Sequence, residues 1–456
     1  MEMDKTLEKV FELIEAKKYA LVREELLENN EADIAEIVEE VNDNIDTEKA
    51  VILFRMLPKD ISASVFSYLS TDCQMDIVGG ITVKEVQNIM EEMSFDDMID
   101  VMEELPANVV DRILMRTDKE TRKLINQFLN YPESSAGSLM TIDYIGLKKE
   151  MKVRDALNFI KIHGMDQETV YTCYVMDNER HLEGIVSLKT LVVSEGYEVI
   201  KDIMHEDVIS VNVMDDQEEV AQIFKKYDFL ALPVVDKENR LVGIITFDDI
   251  MDVIEEETTE DIERMAGVFD GSGKEYMDIP VLHHVKNRLP WLCVMTISLM
   301  ITGGIIAHFE DLMSQVIALV AYIPLLNGTG GNAGTQSASL IIRGMAVGEI
   351  ELRDAARVLW KEMRISFTVG LILSVLNFIK IIVIDREAML VALTVALGIF
   401  IIVMFAKLLG GLLPMAAKRL GIDPALMATP MISSITDMVS VIVYFTLATM
   451  IIGFAF

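Results

Sequence analysis

Residues Pro324 to Ser337 read PLLNGTGGNAGTQS and lie inside an otherwise apolar run from Val316 to Ile342. At membrane depth, backbone that leaves a helix finds no water, so irregular polar backbone survives there only where it lines a wet cavity or is buried in protein. The sequence therefore predicts a spanning segment broken at this stretch, and a pore or substrate site at the break. The stretch carries no charge, which suits a hydrated cation path better than a catalytic centre. Its carbonyls and amide oxygens, that of Asn332 among them, are hard oxygen ligands.

Apolar runs of spanning length occur at about 290–308, 316–342, 365–384, 388–413 and 425–454. Lys286 and Arg288 precede the first run; Arg343, Arg353, Arg357, Lys361 and Arg364 follow the second; Lys418 and Arg419 follow the fourth. The excess of positive residues in these loops predicts a cytosolic N-terminus and, with five spans, a C-terminus on the opposite side. GEIELRDAARVLWKEM, between spans two and three, reads as an amphipathic interfacial helix. In the last run Asp437 stands among apolar residues with Ser433, Ser434, Thr436 and Ser440. An intramembrane carboxylate costs about 2.5 to 3.5 kcal/mol on insertion scales and is by default a functional hypothesis. Lys407, in span four, is expected to snorkel or pair locally.

Charge divides the chain of 456 residues. Of its 73 Asp and Glu only 10 lie from Pro280 onward, against 12 of its 40 Lys and Arg, so the first 279 residues hold the whole negative excess, about 35 charges. Such a surface repels nucleic-acid phosphates and attracts divalent cations. Cys73, Cys173 and Cys293 are widely spaced and form no CxxC, which indicates neither a disulfide framework nor a zinc site. The opening MEMDKTLEKVFELIE has no signal-peptide core, so the soluble half is expected to remain cytosolic.

From Asp46 onward the periodicity is helical, and start signals recur at Ser70, Thr82, Ser94, Pro106 and Thr117, 12, 12, 12 and 11 residues apart. This predicts an array of short helices that presents a surface to a neighbour. Its densest acidic helix, SFDDMIDVMEEL, carries Asp96, Asp97, Asp100, Glu103 and Glu104. The run reads either as a solvated face or as a cation-dependent contact.

Residues 131 to 254 repeat themselves. SLMTIDYIGLKKEMKVRDALNFI and YVMDNERHLEGIVSLKTL match DIMHEDVISVNVMDDQEEVAQIF and PVVDKENRLVGIITFDDI, each reading as strand, helix, two strands across a turn, and helix. This duplication resembles a pair of CBS domains. The resemblance implies either a purely structural coupling role or an adenine-nucleotide cleft with at most one equipped site, Gly243, Thr246 and Asp249 matching the ribose-binding pattern and Thr190 standing where the first copy would need an aspartate. Immediately afterwards Asp248, Asp249, Asp252, Glu255, Glu256, Glu257, Glu260 and Asp261 crowd one helix at spacings where like charges repel. A counter-cation is one explanation; an exposed spacer helix is the other.

With GTGGNAGTQS, SSITDMVS and LGIDPAL (Leu420 to Leu426) in this order behind an acidic repeat and paired CBS domains, the chain resembles the MgtE family of magnesium channels over essentially its whole length. The resemblance implies a multidomain membrane protein. An all-α cytosolic domain (1–130) would precede two α/β CBS domains (131–198 and 199–252), an acidic connecting or plug helix (253–280) and a five-helix pore domain (281–456). It implies a homodimer in lipid whose pore is lined by spans two and five, with Asp437 in the pore and Asp423 at its cytosolic mouth. It further implies Mg2+ uptake held shut by cytosolic Mg2+ on Asp216, Glu218, Asp228, Asp249, Asp252, Glu257, Glu260 and Asp261, with Asp96, Asp97 and Asp100 as partners from the repeat. A single carboxylate per subunit doubled by a two-fold axis suits magnesium, which keeps its waters. Two alternatives stay open: a gradient-coupled carrier of Mg2+, Mn2+ or Co2+, and a nucleotide-sensing membrane protein. No nucleophile and base arrangement points to an enzyme, and GTGGNAG lacks the strand before it and the Lys after it that a phosphate loop needs.

Overall fold

The computed structural model describes residues 2–115, 117–270, 276–277, 279–427 and 429–452. The chain divides into two compact units, Met1–Val253 and Ile254–Phe456.

The first unit opens with helices α1 (Glu2–Glu15), α2 (Tyr19–Leu26), α3 (Glu31–Asn44), α4 (Thr47–Arg55) and α5 (Lys59–Tyr68). They are followed by α6 (Thr71–Gly80), α7 (Val83–Met90), α8 (Phe95–Glu104), α9 (Ala107–Leu114) and α10 (Lys119–Phe128). Ser70, Thr82, Ser94 and Pro106 are the residues that start α6 to α9, as the twelve-residue step predicts. The fifth start lies one residue later, at Asp118, whose carboxylate accepts from the Glu120 and Thr121 amides. An ionised cap outcompetes the neighbouring threonine because it also meets the positive end of the helix. Thr82 and Glu85 complete a reciprocal capping box, and Arg55 of α4 clasps Glu85 through two bonds of 3.0 and 2.9 Å.

The duplicated region follows as α11 (Ala136–Leu139), β1 (Tyr144–Leu147), α12 (Val153–His163), β2 (Thr169–Met176), β3 (Leu182–Ser187) and α13 (Leu188–Val193). The second copy is α14 (Ile200–Ile203), β4 (Val211–Asn212), α15 (Gln217–Tyr227), β5 (Ala231–Val235), β6 (Leu241–Thr246) and α16 (Phe247–Ala266). Each copy forms a three-stranded sheet whose first strand runs parallel to the second and whose second and third are antiparallel. The lead segments are exchanged. Thr141, ahead of β1, pairs with Ile244 of β6, while His205, ahead of β4, pairs with Ile185 of β3. The two motif glycines make this possible, since a Cβ on Gly243 would stand 2.9 Å from Met140 Sδ and one on Gly184 3.0 Å from Met204 Sδ. Each copy's leading methionine therefore seats on the other copy's glycine, as a tight steric fit requires.

In the second unit α17 (Val281–His308), α18 (Glu310–Gln315), a 3₁₀ turn (Ile317–Tyr322) and α19 (Ile323–Ala346) lead into α20 (Ala355–Lys380), α21 (Met389–Arg419) and α22 (Thr429–Ile452). Among the described residues four segments are long and apolar enough to cross a membrane: Val281–His308, Leu352–Asp385, Met389–Arg419 and Pro430–Ile452. The expected fifth, α19, is a 24-residue helix whose polar stretch keeps it out of that class. The expectation of broken backbone there is overturned, because α19 runs through Asn327 to Ser337 without interruption. Glycine costs a helix about 1 kcal/mol per residue. The compensation is close approach: a Cβ on Gly330 would lie 2.7 Å from Ile402 Cγ2, one on Gly331 3.2 Å from Ser433 Oγ, and one on Gly334 2.5 Å from Ile432 Cγ2. The expected interfacial helix is also absent as a separate element. After a 3₁₀ turn at Leu352–Asp354, residues from Ala355 form the start of α20, with Val358, Glu362, Ser366 and Gly370 buried at four-residue spacing.

Candidate functional site: a polar helix pair and two acidic clusters

α19 and α22 pack antiparallel, since Gly330 meets Thr436 and Ser440, Gly331 meets Ser433, and Gly334 meets Ile432. This register sets Asp437 level with the GTGGN turn. Asp437 is half-buried and has no hydrogen-bond or ion-pair partner among the described residues. Nearby, Asn327 Oδ1, Thr335 Oγ1 and Ser440 Oγ are buried without partners. On α19 the residues facing away from the chain's own core are Pro324, Gly328, Asn332, Gln336 and Leu340, again four apart. A stripe that places Asn332 and Gln336 outward on an apolar bundle needs water or polar atoms of another chain, because lipid satisfies neither amide. Unpartnered oxygens and an unpaired carboxylate are the donor set a hydrated divalent ion uses.

Of the two expectations for Lys407, the structure shows pairing with a neighbouring side chain and not snorkelling. Lys407 is 5% exposed and reaches Ser337 of α19, which in turn bonds Glu362 of α20. Sequence reading missed Glu362 by assigning its segment to a surface helix. The four-residue stripe with Ser366 and Gly370 was the available signal.

At the foot of the bundle, Asp423 accepts from the Ala425 amide at 2.8 Å and is ion-paired with Arg264 of α16. Arg264 also pairs with Glu260 one turn back. Asp261 shares this neighbourhood: burial, then the charges of Asp423 and Glu257, raise its carboxyl to about 6. Met265 packs beside Ala338, Ile342, Ala425 and Ile432, so the tip of α16 seats between α19 and α22. Asp423 thus holds a cationic side chain that sequence reading had not singled out, although Arg264 is the lone basic residue in the last turn of an acidic helix. Helix α16 ends at Gly267, whose positive φ of 71° is covered by the Trp291 ring of α17.

A second acidic cluster lies within the first unit. Asp96 of α8 is 8% exposed with Oδ1 unpartnered, and burial followed by the charges of Asp249 and Asp97 pushes it up to about 8. Burial with Asp248, Asp249 and Asp97 nearby raises Glu168 to about 7. The carboxylate of Asp249 accepts from the Thr246 hydroxyl at 2.5 Å, as Ser187 and Thr190 pair at 2.8 Å in the first copy. The residues of the ribose pattern are therefore together, but Asp249 faces the acidic cluster as well. The remaining expected ligands are dispersed. Asp216 caps the start of α15 and Asp228 ends it in the left-handed region, so the helix length of about 17 Å separates them. Glu218, Asp228, Asp100 and Asp252 are exposed, and Glu257 is half-buried. Among the described residues no three His, Cys, Asp or Glu side chains converge to hold a metal ion on their own.

Comparison with known proteins agrees with this arrangement. A family model described as a divalent cation transporter, MgtE, matches residues 323–447; the MgtE intracellular N domain matches 29–134 and the CBS domain 200–256. The magnesium transporter MgtE of Thermus thermophilus is 35% identical over 451 residues, covering 96% of this chain and 99% of the relative. That of Bacillus subtilis is 33% identical over 423 residues, 90% of this chain and 92% of the relative. Among solved structures, the soluble part of a magnesium transporter matches at 31% identity and TM-score 0.51, covering 56% of this chain and 99% of its own. The cytosolic domain of the Mg2+ channel MgtE in complex with ATP matches at 33% identity and TM-score 0.51, covering 54% and 99%. Near-complete coverage by these relatives, together with the α19–α22 pair carrying GTGGNAGTQS and SSITDMVS, establishes that this chain belongs to the MgtE family of divalent cation transporters.

Proposed function

We propose that the chain is a homodimeric magnesium channel of the cell membrane, taking up Mg2+ along a path lined by α19 and α22 and closed by Mg2+ bound to its acidic cytosolic regions. The single observation that carries this reading is the unpartnered Asp437 level with an uninterrupted polar helix whose Asn332 stripe has no hydrogen-bond partner among the described residues. Two copies facing each other across a two-fold axis would satisfy the stripe and double the carboxylate, leaving Mg2+ its water shell. In this reading α19 is the fifth span, the domains follow the boundaries 1–130, 131–198, 199–252, 253–280 and 281–456, the N-terminus is cytosolic and the C-terminus lies opposite. The names of the Thermus and Bacillus relatives support magnesium as the ion, and the ATP-bound relative supports an adenine nucleotide beside Thr246 and Asp249.

Closure requires a state that binds the ion better than the open one. The orphaned Asp96 Oδ1 and the mutual repulsion of Asp96, Asp97, Asp249 and Glu168 fit a cation there, while Glu257, Glu260, Asp261 and Asp423 fit one at the foot of the bundle. The test is divalent uptake by liposomes holding the parent or Asp437→Ala. Uptake is expected to vanish in the variant with folding retained, and unchanged uptake would place selectivity elsewhere. A coupled carrier is separated by imposing proton or sodium gradients, on which channel flux does not depend.

A further inference from the structure

Three polar side chains meet inside the bundle on the side of α19 turned away from the proposed ion path. Ser337 is 1% exposed, Glu362 of α20 6% and Lys407 of α21 5%. The Ser337 hydroxyl donates to Glu362 Oε2 at 2.6 Å and receives from Lys407 Nζ at 3.4 Å. Ser337 follows Asn332 by five residues, about 140° around the helix. Glycines open the space: a Cβ on Gly411 would stand 3.2 Å from Glu362 Cγ, and one on Gly410 would enter the Gly334 carbonyl. Helices α19 and α21 thus approach at backbone distance, and α20 closes on Gly411 through its Glu362 side chain, where one hydroxyl ties a buried acid to a buried amine.

We propose that Ser337 and Glu362 are positioning residues whose hydrogen bond fixes the rotation of α19, so that Asn332 faces the ion path, with Lys407 balancing the charge of the buried acid. The inference rests on the reading of α19 as the wall of that path. Stability alone does not account for the network, since apolar residues of equal volume commonly replace a buried charged group without loss. Gly330 and Gly331 meet an isoleucine methyl and hydroxyl-bearing side chains, which tolerate small rotations, while Gly410 against the Gly334 carbonyl sets how closely α19 and α21 approach. A hydrogen bond from Ser337 to Glu362 holds only over a narrow range of rotations, given its directionality and the short reach of a serine hydroxyl.

Single removal of Lys407 strands a buried carboxylate and invites misfolding, so paired variants decide the matter. In Glu362→Gln/Lys407→Met the amide oxygen still accepts from Ser337. In Glu362→Leu/Lys407→Met it has no acceptor, and both pairs lack a stranded charge. Full-length protein in lipid nanodiscs is read by hydrogen exchange over residues 330–341, and in liposomes by Mg2+ flux against concentration. The Gln/Met pair is expected to stay within twofold of the parent in both. The Leu/Met pair is expected to exchange at least tenfold faster and to need at least fivefold more Mg2+ for half-maximal flux. Parent-like exchange or parent-like half-saturation in the Leu/Met pair overturns the proposal. Absence of flux in the parent itself sinks the transport reading instead, and the exchange comparison still decides the network.

Discussion

Asp437 and Asp96 are both carboxylates in poor surroundings for a charge, and the difference between them is what each lacks. Asp437 lacks any hydrogen-bond or ion-pair partner among the described residues, so none of them offsets the cost of about 2.5 to 3.5 kcal/mol for placing it in a membrane. Asp437→Asn is expected to retain a fraction of parent uptake at most, since the amide keeps oxygen and volume but loses charge; liposome uptake with an ion-sensitive dye measures it. Asp96 lacks a counter-charge among its carboxylate neighbours. Its folded value near 8, and that of Glu168 near 7, lie above the ordinary carboxylate range of about 4. The folded state therefore holds protons the unfolded chain releases, so their contribution to stability is complete below about pH 4 and is lost as pH rises through 7 and 8. Without divalent ions the midpoint of thermal unfolding is expected to fall between pH 6 and 8.5, and added Mg2+ at pH 8.5 to restore it. Asp96→Asn/Glu168→Gln should flatten the dependence; a slope unchanged in that variant would remove the cluster from consideration. Asp96 was legible as part of an acidic run, but its burial was not, because the sequence does not show which face of α8 meets Glu168 and Asp249.

At the scale of elements, glycine in α19 and α21 exchanges helix propensity for interhelical contact. Gly410 abuts the Gly334 carbonyl, which is backbone and cannot yield, whereas nothing lies within 4 Å of a Cβ on Gly328. Gly410→Ala is expected to destabilise the bundle by about 1 to 3 kcal/mol, as overpacking does. Gly328→Ala is expected to raise stability slightly, by up to about 1 kcal/mol from helix propensity. Thermal unfolding of the two variants in one detergent compares them, and equal losses would mean that close approach is not what the glycines serve. The helix starts at Ser70, Thr82, Ser94 and Pro106 were legible because capping is local chemistry, decided within four residues. The continuity of α19 was not, because polarity within an apolar run suggests a break unless the neighbours that accommodate a helix are known.

At the scale of the whole molecule, the first 279 residues carry a surplus of about 35 negative charges and the bundle nearly none. Like charges about 4 Å apart repel by roughly 4 kcal/mol per pair at an effective dielectric near 20, so compact acidic faces need shared cations. If the parent closes under cytosolic Mg2+ as proposed, Glu257→Ala/Glu260→Ala/Asp261→Ala and a protein beginning near Val281 are expected to stay open at the concentration that closes it, with conduction intact. Single-channel recording decides; closure at the parent's concentration in both would show that the soluble regions are not the sensor.

The sequence by itself determined the parts and their order: the helical array with its caps, the duplicated α/β module, the acidic connector, the apolar segments and the two polar motifs. These follow from periodicity and local chemistry, which act over a few residues. Only the tertiary structure decided that Met140 seats on Gly243 of the other copy, that Asp423 takes Arg264 as its partner, and that Ser337 joins Glu362 to Lys407. Each of these joins residues from 25 to 159 positions apart or exchanges strands between repeats. Such pairings depend on which faces remain to be buried once the elements have formed, and that is a property of the assembled chain rather than of any stretch within it.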